Sequence, residues 1–117
     1  MYTTFESYNA QQSSTSNVNR DIETIEELNN LIEQQVAVVK VYATWCGPCQ
    51  RLSTPFKELM DEFPNIPYAN VNVDSKLIQG VSGLPTILFY KNGQIVNSVM
   101  GSNMQSIRHA VVELNQS

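Results

Sequence analysis

A chain of 117 residues and 13.2 kDa, 42% hydrophobic, has the length for one domain with a buried core and little beyond it. Its net charge of -4 and pI near 4.8, with no cluster of lysine or arginine, exclude a surface built to neutralise phosphates, so nucleic acid is not an expected partner. No apolar run approaches the roughly 20 residues that cross a bilayer, and MYTTFESYNAQQSSTSNVNR lacks the basic start and apolar core of a secretion signal, so no membrane partner and a cytoplasmic location are expected.

Residues 1–18 are rich in Ser, Thr, Asn and Gln without an apolar period, which predicts a flexible polar tail ahead of a domain over 19–117; Tyr2, Phe5 and Tyr8 are its large side chains. A short strand is expected near Val18–Ile22. Thr24 followed by Glu27 reads as a capping box, and Ile25, Leu28, Leu31 and Ile32 share one helical face, so a helix should run from there to Gln34 or Gln35. VAVVKVY, 36–42, is a β-branched run with the signature of a buried central strand, and Lys40 stands out in it. CQRLSTPFKELMDEF then has Leu52, Phe56, Leu59 and Phe63 at helical spacing, with Pro55 expected to kink the helix because it lacks an N–H. After FPNIP, the stretches 68–74 and 85–90 read as strands, Asn92-Gly93 as a hairpin turn and 94–101 as the returning strand. Met104, Ile107, Val111 and Leu114 mark a last helix over 104–115. The order β-α-β-α-β-(short helix)-β-β-α predicts the α/β class: a mixed central sheet of four to five strands with helices on both faces.

The two cysteines, Cys46 and Cys49, are three residues apart where a strand gives way to a helix, a separation that a disulfide can bridge. Cys46 would face the unpaired N–H groups and positive dipole end of the helix, which favour a thiolate, and Pro48 suits the first turn. This predicts Cys46 as nucleophile and Cys49, one turn deeper, as the resolving thiol. A structural disulfide is the weaker reading, since so short a loop restrains little of the unfolded chain. Zinc is weaker still: about four ligands are needed, and His109, the single histidine, falls on the last helix and is expected at its surface. Neither a metal nor a cofactor is therefore expected.

Trp45-Cys46-Gly47-Pro48-Cys49 resembles the active-site motif of the thioredoxin family, Gly83-Leu84-Pro85-Thr86 its cis-proline loop, and Lys91-Asn92-Gly93 with Gly101 its final hairpin; the match runs from about residue 20 to the C-terminus. The resemblance implies a thioredoxin fold and a monomeric protein-disulfide reductase acting on protein disulfides, recharged by a thioredoxin-reductase-like electron donor. It also implies that a cis Pro85 lies beside the sulfurs and leaves the Leu84 backbone open to an extended substrate strand. Trp45, Gly47, Pro48, Gly83, Leu84, Met100 and Gly101 would line a shallow apolar groove, although Trp45 and Met100 also fit a core role and Gly101 a packing role.

Several positions depart from the family pattern. The family's buried aspartate, six residues before the first cysteine, is here Lys40, and the lysine that often partners it falls at Asn70. Asp74 to Pro85 is about one helical turn short, and Pro55 comes one position late. Three readings of Lys40 follow: a charged ammonium that stabilises the Cys46 thiolate, a neutral amine that accepts the Cys49 proton, or a side chain that carries its head into water. Two other functions also fit: a less reducing oxidase or isomerase, or an accessory binding module that uses the groove without redox chemistry.

Overall fold

The computed structural model describes residues 20–116, so the expected tail over 1–18 and the first residues of the expected strand at Val18 lie outside them. The elements follow as β1 (Asp21–Ile22), α1 (Ile25–Ile32), β2 (Val36–Tyr42), α2 (Gly47–Asp61), β3 (Tyr68–Asn72), a 3₁₀ turn (Val73–Ser75), β4 (Thr86–Lys91), β5 (Gln94–Met100) and α3 (Met104–Asn115). The strands form one sheet in the order β1-β3-β2-β4-β5. The pairs β1/β3 and β3/β2 are parallel, whereas β4 runs antiparallel to β2 and β5 antiparallel to β4.

Period-two alternation divides the central strands between two cores. Val38, Tyr68, Ile87 and Phe89 face α2 and α3, and bury against Leu52, Phe56, Leu59, Ile107 and Val111. The opposite residues, Ala37, Val39, Val41, Ala69 and Val71, bury against Leu28 and Leu31 of α1. A central strand covered on both faces needs apolar residues at consecutive positions, which is why β2 reads as a continuous β-branched run. Lys40 shares its face with Val38, so its side chain points toward α2.

Local chemistry sets the ends of the elements. Thr24 Oγ1 accepts the Glu27 N–H, and the Glu27 carboxylate accepts the Thr24 N–H, closing the capping box of α1. Asn92 (φ 53°) and Gly93 (φ 84°) both take left-handed backbone, the geometry that a two-residue hairpin turn requires. Helix α2 runs from Gly47 to Asp61 with Pro55 inside it. The third strand ends at Asn72 rather than Asp74, because Asn72 Oδ1 accepts the Asp74 N–H and starts the 3₁₀ turn. Helix α1 likewise stops at Ile32, short of the expected Gln34 or Gln35.

Candidate active site

Strand β2 ends at Tyr42, and four residues later the chain enters α2 with Cys46 as its N-cap. Cys46 has extended backbone (φ -95°, ψ 112°), and its Sγ accepts the N–H of Cys49 at 3.1 Å. The approach is held by Cys46 N–H donating to Ala43 O (3.2 Å) and by Gln50 Nε2 donating to Thr44 O (2.8 Å). Cys46 and Cys49 form a disulfide with Cα atoms 5.3 Å apart. Both are buried, at 6% and 3% exposure, beside Ala43 and against Tyr42, Val73 and Leu84. A sulfur at the N-cap receives a peptide N–H and lies at the positive end of the helix, an arrangement that favours a thiolate over a thiol.

Two recesses flank the disulfide, and they share no lining residue. On the Cys46 side a mainly apolar groove of about 610 Å³ is walled by Trp45, Gly47 and Pro48 from one direction, and by Val81, Ser82, Gly83 and Leu84 from the other. The Leu84–Pro85 peptide is cis. Pro85 O accepts the Gly101 N–H at 2.7 Å, which ties this loop to the end of β5. Met100 lies over the same loop, its Sδ accepting from Ser82 Oγ at 3.7 Å. Trp45 is 68% and Met100 62% exposed, so neither is a core residue. The structure thus brings Trp45, Gly47, Pro48, Gly83 and Leu84 to one groove, with Met100 beside Gly83, while Pro85 and Gly101 are not among its lining residues and are joined to each other by their backbones.

On the Cys49 side is a cleft of about 650 Å³, lined by Lys40, Asp21, Tyr42, Asn70, Ser53 and Thr54 along with Cys49. Strand register builds it: Asp21 pairs with Asn70, and Asn70 with Lys40, so these three residues form one row across β1, β3 and β2. Tyr42 OH donates to Asp21 Oδ2, clamping β2 to β1. Burial and that bond push the Tyr42 phenol up to about 12. Lys40 does not carry its head into water; the residue is 4% exposed, with Nζ 5.1 Å from the Phe56 ring centroid. Burial lowers its pKa, and the charge of Asp21 opposes that only in part. Among the described residues no carboxylate lies within ion-pair distance of it.

Asp21, Tyr42, Ser53 and Thr54 were not singled out by the sequence reading. Tyr42 was within reach of it, since alternation puts residue 42 on the face of residue 40. Asp21 was not, because nothing local reveals which strand pairs with which. Among the described residues no group of three or more His, Cys, Asp or Glu is placed to hold a metal, and His109 is an exposed residue of α3 beside Glu113. No helix of the described residues is long and apolar enough to cross a membrane.

Comparison with known proteins adds the family. The thioredoxin family model matches residues 17–113. Thioredoxin-1 of Saccharomyces cerevisiae is 33% identical over 93 residues, covering 75% of this chain and 90% of that protein. The peptide-N(4)-(N-acetyl-beta-glucosaminyl)asparagine amidase of Caenorhabditis briggsae is 36% identical over 96 residues, but the match spans 75% of this chain and only 16% of the amidase. The oxidised form of mitochondrial thioredoxin 3 from S. cerevisiae superposes with a TM-score of 0.77 at 25% identity, covering 85% of this chain and 98% of that one. With the family model matched over most of its length and the cysteine pair at the head of α2, this chain belongs to the thioredoxin family.

Proposed function

We propose that this chain is a thiol-disulfide oxidoreductase that reduces protein disulfides through reversible opening of Cys46–Cys49. The observation that carries the reading is the Cys46 sulfur, capping α2 at the edge of an apolar groove with its disulfide partner one turn behind. The reduced Cys46 thiolate attacks a substrate disulfide; a bond forms from Cys46 Sγ to one substrate sulfur, and the other leaves as a thiolate. Cys49 then attacks Cys46 Sγ, regenerating the internal disulfide and releasing the second substrate thiol. The groove walls supply apolar contact, and the backbone of the Gly83–Leu84 segment supplies hydrogen-bonding groups for an extended strand. In this reading an electron donor of the thioredoxin-reductase kind recharges the pair, and the chain works as a monomer in the cytoplasm, in cellular electron transport and redox homeostasis.

Trapping tests the reading. Cys46→Ser should abolish disulfide reduction, whereas Cys49→Ser should accumulate a mixed disulfide through Cys46, identified by mass spectrometry. Adducts on Cys49 of the Cys46→Ser variant at comparable yield would reverse the assignment. Retention of full biological function by the doubly substituted chain would instead make it a binding module.

A further inference from the structure

The resolving step raises a problem that the Cys46 side of the site does not solve. Cys49 is 3% exposed and lies within α2, where the N-cap sulfur takes its N–H. A buried thiol without such support keeps its proton, yet only the thiolate attacks a disulfide. Something on the Cys49 side must take that proton.

Three other titratable groups line the cleft into which Cys49 faces: Asp21 on β1, and Lys40 and Tyr42 on β2; Asn70 and the hydroxyls of Ser53 and Thr54 complete its polar wall. Asp21 is exposed and already accepts the Tyr42 hydroxyl, and Tyr42 is thereby held as a donor. Lys40 is different. It is enclosed by the sheet, by α2 and by the Phe56 ring, has no carboxylate within ion-pair distance among the described residues, and shares the cleft with Cys49. Burial disfavours the charged form of an ammonium so placed, and its neutral amine is a base that lines the same cleft as the thiol that needs one.

We infer that Lys40 is the general base of the resolving step, receiving the Cys49 proton across the cleft; this rests on the oxidoreductase reading above. In the mixed disulfide, neutral Lys40 takes the proton from Cys49 Sγ, which gives an ammonium and a thiolate that stabilise one another. The thiolate attacks Cys46 Sγ; the Cys46–Cys49 bond forms as the bond from Cys46 to the substrate sulfur breaks. The electron pair leaves on the substrate sulfur, which takes a proton from the solvent at the groove, while Lys40 gives its proton to the solvent of its own cleft. The sum is one dithiol oxidised, one substrate disulfide reduced to two thiols, and Lys40 neutral again. A permanently charged Lys40 acting on the Cys46 thiolate fits less well, because Cys46 lines the other recess.

The test is single-turnover kinetics of the reduced full chain with a protein disulfide, resolving attack from release, in wild type and in Lys40→Leu, Lys40→Arg and Lys40→Glu. Lys40→Leu should attack at the wild-type rate with an unchanged Cys46 pKa, but resolve roughly tenfold or more slowly. Lys40→Arg keeps the charge, cannot accept a proton, and should resolve as slowly. Lys40→Glu restores a base and should recover most of the rate. The resolution rate of wild type should level off at a lower pH than that of Lys40→Leu, in which Cys49 loses its proton to solvent alone. Wild-type resolution in Lys40→Arg, no recovery in Lys40→Glu, or an attack rate and Cys46 pKa that shift together in Lys40→Leu each overturn the inference. Should Lys40→Leu fail to fold, Lys40→Arg and Lys40→Glu still decide it. Absence of any Cys46 adduct in Cys49→Ser would sink the oxidoreductase reading itself, whereas normal adducts with resolution indifferent to Lys40 sink only this step.

Discussion

A methyl group added to Gly83 meets Met100 Sδ at 2.6 Å, closer than real contacts allow. Gly83 does not need its own conformational freedom, since its backbone is not in the left-handed region; it is small because another side chain lies over it. The displaced atom is the end of a flexible, exposed methionine, so the conflict is relieved by moving Met100 rather than the fold. Gly83→Ala should therefore change stability by less than about 1 kcal/mol in chemical denaturation. It should raise KM for a protein disulfide while leaving the reaction with a small aromatic disulfide nearly unchanged. Adding Met100→Ala to Gly83→Ala should recover the KM if the displaced side chain is the cause. A KM unmoved in Gly83→Ala would mean that substrate does not reach this wall of the groove.

Helix α1 has eight residues, too few to persist without its cap and the two side chains it buries, Leu28 and Leu31. Thr24→Ala removes the hydroxyl that accepts the Glu27 N–H and should cost about 1 kcal/mol by denaturant midpoint at constant slope. Activity should not follow, because α1 covers the sheet face opposite α2. That cap was legible in the sequence, as were the buried run of β2, the Asn92-Gly93 turn and the cysteine pair, since each is written within a few consecutive residues. What was not legible depends on partners distant in sequence. The row Asp21, Asn70, Lys40 exists only through strand register, and the Met100–Gly83 contact only because β5 returns beside the loop before β4. The end of β3 was misplaced by two residues because the alternation of Val71 and Val73 continues past the point where the Asn72 side chain turns the chain. For Lys40 the sequence left open a solvated head; the Phe56 ring and the cover of α2 exclude it.

Over the whole molecule, proton linkage divides by sign into three regions of pH. On the acid side, Glu27 is held below its ordinary 4.5 chiefly by the Glu23 N–H, and Glu62 by the Arg108 guanidinium. The stability they lend is present above 4.5 and lost as pH falls through their folded values; both are exposed, so that limb is shallow and salt-sensitive. On the alkaline side, burial raises Tyr42, Tyr68 and Tyr90 above 10.0, so their contribution is complete below 10.0 and lost as pH climbs through the folded values. Lys40 acts with a slope opposite to that of the tyrosines. Its folded pKa is lowered from 10.5, so over the window between the two values the unfolded chain binds more protons than the folded one. Rising pH in that window stabilises the fold, and the cost of the buried cation is complete only below the folded pKa. Wild type in the oxidised state should thus gain stability as pH rises through the part of that window below 10.0, before the tyrosines reverse the trend. Lys40→Met, which keeps the volume and removes the titration, should be more stable than wild type at neutral pH, with an advantage that shrinks as pH rises. Denaturant unfolding of the two oxidised proteins across about pH 5 to 10 measures this difference directly. A difference that stays constant with pH would mean that Lys40 binds its proton equally in both states, and that the cleft solvates its ammonium as well as water does.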